Sequence, residues 1–295
     1  MKLINLSSLL LCFATLQASA AIVVKDDYGN VVTLQKPAQR IISMAPHITE
    51  LLFAAGGGDK IVGTVTYSDF PEAAKKIPQI GDNREVDLER IIAMKPDLLV
   101  VWRHTNSERQ DQLLRSLGVP LFYSEPHSLA DIPDSVKRLG QLMGTDVEAN
   151  KSAQDLQKKL DALTAKFAHR APVRMFYQVW DKPLFTLNGQ HIVSDAIRIC
   201  GGVNIFAAMK IIAPIVDLEA VMQEDPEAIV GTAEKHASDG GVAMWKRYPL
   251  MTAVKRNNLF LLDGNLLNRA GPRMIEGTAA LCEKLDLARA ARVQK

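Results

Sequence analysis

DLERIIAMKPDLLV, at residues 87–100, returns later in the chain as DLEAVMQEDPEAIV, at residues 217–230. In each copy an aspartate precedes a run with helical periodicity, a proline follows that run, and a short apolar stretch comes next. Aspartate is a favoured helix N-cap, proline ends a helix, and the apolar stretch is typical of a buried strand. The repeat therefore predicts one helix–strand unit in each half of the chain, although such units are common enough for chance convergence to produce the match.

Short apolar runs alternate with helical patterns around both copies. Strands are predicted at residues 40–44, 61–65, 98–102, 121–123, 173–179, 228–230 and 259–262, and helices at 47–55, 87–94, 106–117 and 272–287. Alternation of this kind is typical of a mainly parallel sheet with helices on both faces.

Between the two alternating regions, residues 146–169 have the pattern of one uninterrupted helix of about 20 residues, some 30 Å long. We therefore expect an α/β fold with two Rossmann-like α/β lobes, at residues 21–145 and 171–295. A single backbone helix at 146–170 joins them. Two such lobes enclose a cleft, which is where small ligands preferentially bind.

Residues 1–20 have the pattern of a secretory signal peptide. Lys2 precedes an apolar run at residues 9–16, and Ala-Ser-Ala at 18–20 predicts cleavage after Ala20. The apolar run is shorter than the stretch of about 20 residues that a permanent membrane helix needs. The mature protein is therefore expected to be exported. A lipoprotein cysteine at Cys12 is the alternative, but bulky Leu11 precedes it instead of a small residue.

Loss of the leader would leave Cys200 and Cys282 as the remaining cysteines. Disulfides persist in exported proteins, so we expect these two residues to be bonded. Two buried free thiols are the alternative.

The composition and motifs limit the possible activities. Lys plus Arg (35) nearly balances Asp plus Glu (33), so nucleic acid is not an expected partner. The sequence contains no Gly-x-Ser-x-Gly elbow, no His-Glu-x-x-His motif, no Walker loop and no Gly-x-Gly-x-x-Gly turn, and we assign no catalytic residues.

The histidines, which are the first candidates for metal ligands, are scattered singly along the sequence. His47 and Glu50, three positions apart on one predicted helix, make only a weak metal pair, so no metal site is assigned.

Aromatic and basic residues follow several predicted strands, where open α/β sheets contact their ligands. They include Tyr67, Trp102 with Arg103, and Trp180. Aromatic rings at these positions could stack on a large flat ligand, and Arg103 or Arg269 could bind its carboxylate, amide or phosphate groups. The alternative is that the rings only seal the ends of the strands.

Several motifs occur in order from about residue 40 to the end of the chain: SMAPHITEL (43–51), YSDFP (67–71), DLERI (87–91), KPDL (95–98), WR (102–103), CGGVNIF (200–206) and RAGPR (269–273). Together they resemble the helical-backbone class of substrate-binding proteins, and within it the cobalamin-binding proteins of periplasmic ABC import systems. The resemblance implies a non-enzymatic, monomeric receptor without a cofactor that captures a corrinoid, with cobalamin the first candidate, and delivers it to an ABC permease in the inner membrane. Haem or an iron siderophore is the alternative ligand, because the class includes receptors for both.

The resemblance also implies a role for Glu89 and Glu219, which occupy matching positions of the repeat. In the class, one surface glutamate per lobe pairs with arginines of the two permease subunits. Alone, either glutamate would be an ordinary acidic residue in the first turn of a helix.

The ligand-binding residues match the family less completely. Tyr67, Trp102 and Arg269 match ligand-contacting positions, whereas two positions that hold tryptophan in the family align with Asn83 and Ala213 here. Two aromatic walls of the family's ligand site are therefore expected to be absent here.

Two further expectations concern residues that differ from the family. Trp180 and Phe185 could replace part of the missing aromatic wall from the second lobe. His47 matches a position that abuts the corrinoid and is small in the family, so it could act as an axial ligand to the metal of a corrinoid or haem. The alternative is a solvent-facing histidine at the start of a helix.

Overall fold

The computed structural model describes residues 21–82, 85–103, 108–233 and 241–292. The predicted signal peptide, including Cys12, lies outside these ranges, and so does Asn83. Across the described ranges, no helix is both long enough and apolar enough to cross a membrane.

The first lobe is built on a parallel sheet of four strands in the order β4-β3-β5-β6, with an antiparallel hairpin, β1–β2, beside it. Its elements are β1 (Ile22–Lys25), β2 (Val31–Leu34), β3 (Ile41–Ser43), α1 (Pro46–Ala54), β4 (Ile61–Gly63), α2 (Leu88–Ala93), β5 (Leu98–Val101), α3 (Glu108–Ser116), β6 (Leu121–Tyr123) and α4 (Asp131–Met143), with 3₁₀ turns at Gly58–Lys60 and Glu72–Lys76.

After α5 (Asp146–Phe167), the second lobe forms another parallel sheet of four strands, in the order β10-β7-β11-β12. Its elements are β7 (Val173–Gln178), β8 (Trp180–Asp181), β9 (Leu184–Phe185), α6 (Ile192–Ile199), β10 (Gly202–Asn204), α7 (Leu218–Glu224), β11 (Ala228–Ala233), α8 (Thr252–Lys255), β12 (Leu259–Asp263), α9 (Gly264–Leu267) and α10 (Met274–Ala290), with a 3₁₀ turn at Val242–Arg247. Counted by their place along the chain, the strands of both sheets are ordered 2-1-3-4. The predicted α/β fold with two lobes is confirmed.

The sequence repeat corresponds to a structural repeat, α2–β5 in the first lobe and α7–β11 in the second. Asp87 caps α2 by accepting a hydrogen bond from the Arg90 N–H at 2.9 Å, and Asp217 caps α7 by accepting one from the Ala220 N–H at 2.7 Å. Both helices therefore begin at the predicted aspartate.

The end of each repeated helix is fixed by an arginine from the neighbouring strand region. The Arg40 guanidinium donates to the Met94 carbonyl at 2.7 Å, and the Arg174 guanidinium donates to the Glu224 carbonyl at 2.9 Å. The last carbonyls of a helix have no partner within it, so these arginines satisfy them and favour the negative end of the helix dipole.

The backbone helix α5 has 22 residues and is therefore about 33 Å long. It ends at Phe167, two residues before the predicted end at His169. Ala153, Leu156 and Leu160 on α5 belong to one buried apolar cluster that also includes core residues of both lobes. The helix is therefore packed into a continuous core and is more than an exposed spacer.

Several short elements were not predicted from the sequence: the hairpins β1–β2 and β8–β9, helix α6 and strand β10. Strands of two to four residues carry too few side chains for their periodicity to be recognised. The first hairpin is held by a side chain, because Asp26 accepts backbone hydrogen bonds from Tyr28 and Asn30. An aspartate that binds the backbone of a turn in this way leaves no hydrophobic periodicity in the sequence, so the hairpin was not predicted.

Cys200, at the end of α6, and Cys282, within α10, form a disulfide. Both residues are fully buried. The predicted bond is confirmed, and the alternative of two free thiols is wrong.

Replacing both cysteines with alanine should lower the free energy of unfolding by about 4–5 kcal/mol, because the bond closes a loop spanning 82 positions in the unfolded chain. Urea unfolding followed by circular dichroism measures this change. A reductant should destabilise the unaltered protein and leave the double variant unaffected. Equal stability of the two proteins without reductant would contradict the prediction.

Candidate functional site

The strand order places a crevice at the same point of each sheet. In a 2-1-3-4 order, the connections leave the first and third strands in opposite directions, and ligands of open α/β sheets bind where that reversal occurs, beyond the carboxyl ends of the strands. In the first lobe this point lies between β3 and β5, and in the second between β7 and β11. Residues directly after these strands are therefore the first candidates for ligand contact.

His47 and Trp102 meet at the crevice of the first lobe. His47 lies in the first turn of α1, just after β3, and Trp102 directly follows β5. Their ring centroids are 5.2 Å apart and the ring planes are nearly perpendicular, at 87°. His47 is only 4% exposed, so the alternative of a solvent-facing histidine is wrong.

The His47 imidazole is held in its neutral form. Its pKa is lowered to about 4, chiefly by burial and in addition by the positive charge of Arg269, while the Ser124 backbone acts in the opposite direction. The Nε2 atom is buried and has no hydrogen-bond partner.

Tyr67 is held in an unusual backbone conformation. Its φ is 67°, and its side chain is 73% exposed. A bulky residue at positive φ costs about 1–3 kcal/mol, and such strain concentrates at functional sites. The next residue anchors the loop, because the Ser68 hydroxyl accepts a hydrogen bond from Thr49 at 3.1 Å. An exposed ring on a strained backbone does not seal a strand end.

A cluster of charged residues connects the two lobes. Glu50 on α1 has a side chain only 1% exposed, and it accepts hydrogen bonds from Arg273 at 2.6 and 3.0 Å and from Arg269 at 3.3 Å. Arg269 also pairs with Asp69 at 2.7 Å. The hydrogen bond to Glu50 raises the pKa of Arg273. We call these four residues the interlobe ion cluster.

The sequence did not predict a role for Glu50 in joining the lobes, or for Arg273. Arg273 also stacks on Phe70, with 4.0 Å between the guanidinium carbon and the ring centroid. One signal was present, since Glu50 is a charged residue directly before the apolar run LLFA of a predicted helix. Its partners lie more than 200 positions away, so no local pattern identifies them.

The second lobe presents an apolar surface next to the end of β7. Trp180 on β8 pairs with Phe185 on β9, and Phe185 forms a further bridge with Ile215. Trp180 is 56% exposed and Ile215 is 61% exposed. Ile215 was missed in the sequence, where it lies two positions after Ala213. Tyr177, which lies within β7, is fully buried and is not part of this apolar surface.

Arg103 follows Trp102 but contacts the β1–β2 turn. Its guanidinium carbon lies 5.0 Å from the centroid of the Tyr28 ring. Arg103 and Arg269 therefore have different environments, because Arg269 takes part in the interlobe ion cluster.

Glu89 and Glu219 occupy equivalent places in the two lobes. Each lies in the first turn of its repeated helix, α2 or α7, and each is exposed. The fold thus carries one exposed carboxylate at the same point of each repeat.

His47 and Glu50, the weak metal pair of the sequence, lie on the same helix, α1. Both carboxylate oxygens of Glu50 accept hydrogen bonds from arginines. Across the described ranges, no group of three or more His, Cys, Asp or Glu side chains is arranged to hold a metal ion.

Comparison with known proteins identifies similar sequences and folds. A family model described as a periplasmic binding protein matches residues 41–266. A vitamin B12-binding protein of Vibrio parahaemolyticus is 33% identical, over 88% of this chain and 94% of its own length. The crystal structure of the periplasmic vitamin B12-binding protein BtuF of Vibrio cholerae superposes with a TM-score of 0.80 at 34% identity, covering 86% of this chain and 98% of that one.

A more distant likeness concerns the fold alone. The haem-binding protein RhuT of Roseiflexus matches with a TM-score of 0.74 at 24% identity, covering 85% of this chain and 99% of its own.

Replacing Glu50 with glutamine should lower the free energy of unfolding by about 3 kcal/mol, because Arg273 would lose its partner in a buried ion pair. Denaturant unfolding measures the loss. Glu72→Gln is the matched control, since Glu72 pairs with Lys75 at 2.6 Å but both side chains are exposed, and we expect a change below about 1 kcal/mol. Equal effects of the two substitutions would show that the interlobe ion cluster does not stabilise the fold.

Proposed function

Since this chain belongs to the periplasmic binding protein family, we propose that it captures a corrinoid, with cobalamin the first candidate, and delivers it to an ABC import permease. The observation that carries the proposal is the set of aromatic side chains near the reversal points of the two sheets. Tyr67 and Trp102 belong to the first lobe, and Trp180 and Phe185 to the second. The likeness to proteins named vitamin B12-binding proteins supports the same ligand.

The chemistry of these residues suits a large, flat and amide-rich ligand. Aromatic faces contribute apolar contact area and stack on planar groups. Arg269, with its guanidinium at the seam between the lobes, offers donors to the carboxamide groups at the edge of a corrin ring. Arg103 is proposed as a further donor next to Trp102.

The proposal includes the setting in which the protein works. We propose a periplasmic receptor, exported by a signal peptide that is removed after Ala20. We also propose that it acts as a monomer, without a cofactor and without catalytic activity, so that the corrinoid is its cargo. The lobes are assigned to residues 21–145 and 171–295, with the backbone helix at 146–170 between them.

Docking to the permease is proposed at Glu89 and Glu219. A permease with two similar subunits presents related surfaces, and a protein that docks across both needs a carboxylate on each lobe. The repeat supplies one at equivalent exposed positions, each at the start of a helix capped by aspartate.

Haem or an iron siderophore is the second candidate ligand, and His47 is the observation that favours haem. A neutral imidazole is a common axial ligand of haem iron. The tryptophan expected from the family at Ala213 is also missing, which weakens the case for cobalamin alone.

Calorimetric titration of the ligand-free protein with cyanocobalamin, cobinamide and haemin tests the ligand class. We expect tight binding of the corrinoids, and Trp102→Ala should weaken it by about tenfold or more, because an aromatic contact surface is lost. Val147→Ala is the control, since Val147 is an exposed apolar residue in the first turn of the backbone helix and no ligand contact is proposed for it. Tight haemin binding without any corrinoid response would reverse the order of the two candidates.

The double variant Glu89→Ala, Glu219→Ala should bind its ligand with unchanged affinity and fail to support uptake, because both docking charges are removed from exposed positions. Uptake of labelled cobalamin by cells that depend on this protein measures the effect. A double variant at two other exposed glutamates, Glu72 and Glu148, is the control. Normal uptake with the Glu89, Glu219 variant would refute the docking assignment.

A further inference from the structure

His47 has a buried ring nitrogen without a partner at the reversal point of the first sheet. The residue follows β3, its ring meets the ring of Trp102, and its Nε2 atom is enclosed without a hydrogen bond. Nearly all buried polar atoms in folded proteins have a partner, so one that does not requires an explanation.

The other ring nitrogen determines what Nε2 can do. A neutral imidazole carries its hydrogen on one ring nitrogen and a lone pair on the other. With the hydrogen on Nδ1, the Nε2 atom, which is buried and has no hydrogen-bond partner, presents its lone pair. A ring fixed through Nδ1, with the Nε2 lone pair available, is the usual arrangement of a metal-ligating histidine.

The second lobe lies directly over this part of the first. A Cβ atom placed on Gly271 would come within 3.4 Å of the His47 carbonyl oxygen and 3.5 Å of the Glu50 carboxylate. Arg269, two positions earlier, is close enough to lower the pKa of His47. A ligand that separates the lobes at the reversal point therefore enters between His47 and the 269–271 loop.

We propose, on the premise that the corrinoid-binding function holds, that Nε2 of His47 coordinates the central cobalt of the bound ligand. Coordination is an exchange of ligands: a cobalt–nitrogen bond forms, the bond from cobalt to an axial water breaks, and the water leaves. No electron is transferred, and the proton remains on Nδ1. His47 would therefore favour corrinoids that have an exchangeable axial position.

Electron paramagnetic resonance of bound cob(II)inamide tests this directly. This corrinoid has no nitrogenous base of its own, so an axial nitrogen signal must come from the protein. We expect each cobalt hyperfine line to be split into three by ¹⁴N, and into two when the protein carries ¹⁵N-labelled histidine. A spectrum of bound cob(II)inamide without nitrogen splitting would overturn the proposal.

Binding measurements with two other cobinamides separate coordination from packing. His47→Ala should raise the dissociation constant for diaquocobinamide by about tenfold or more and leave that for dicyanocobinamide unchanged, because cyanide already fills both axial positions. Equal losses for the two ligands would indicate a structural role and overturn the proposal. His169→Ala, at an exposed histidine just beyond α5, is the control and should affect neither.

A hydrogen bond from His47 to a ligand carboxamide is the competing explanation. Glutamine at position 47 can form such a bond but is a poor cobalt ligand, so normal affinity of His47→Gln for diaquocobinamide would overturn coordination. If His47→Ala does not fold, the resonance experiment on the unaltered protein still decides. Binding of corrinoids without nitrogen splitting would refute only the role of His47, whereas failure to bind any corrinoid would refute the proposed function itself.

Discussion

The continuous helix α5 constrains how the two lobes can move. Bending it at any point breaks hydrogen bonds between successive turns, and its apolar side chains belong to the buried cluster that extends into both lobes. A wide opening of the cleft would therefore expose part of the core and disrupt the helix. Small changes in the separation of the lobes remain possible, because these leave α5 intact.

The interlobe ion cluster acts within that constraint. Glu50 holds two arginines of the second lobe at the seam, so the lobes are joined by charge at one place and by the core around α5 at another. Arg269 is shared between Glu50, Asp69 and, under the proposed function, the ligand. Ligand binding and lobe contact thus draw on the same guanidinium. Under the proposed function, release of the cargo requires a force from outside the protein, which the permease would supply by separating the two lobes.

The features predictable from the sequence are those fixed by neighbouring residues. Asp87 and Asp217 mark the starts of α2 and α7 because capping involves residues only three positions apart. The disulfide joins distant residues and was predicted in another way, from the two cysteines that lie outside the expected signal peptide. The interlobe ion cluster could not be predicted in this way, because Glu50 and Arg273 are far apart in sequence. The positive φ of Tyr67 was equally hidden, since the local preference of a bulky aromatic residue opposes it.

The repeat also separates what the two lobes share from what differs between them. They share the strand order, the capped helix and an exposed glutamate at its first turn. They differ at the reversal points, where the first lobe has His47 and Trp102 and the second has a hairpin that bears Trp180. Under the proposed function, a permease of two similar subunits favours equivalent docking groups on both lobes. A corrinoid has two different faces, so each lobe can match the face that it contacts only if the two binding surfaces differ. On that proposal, the equivalent glutamates suit a symmetric partner, and the different residues at the two reversal points suit an asymmetric cargo.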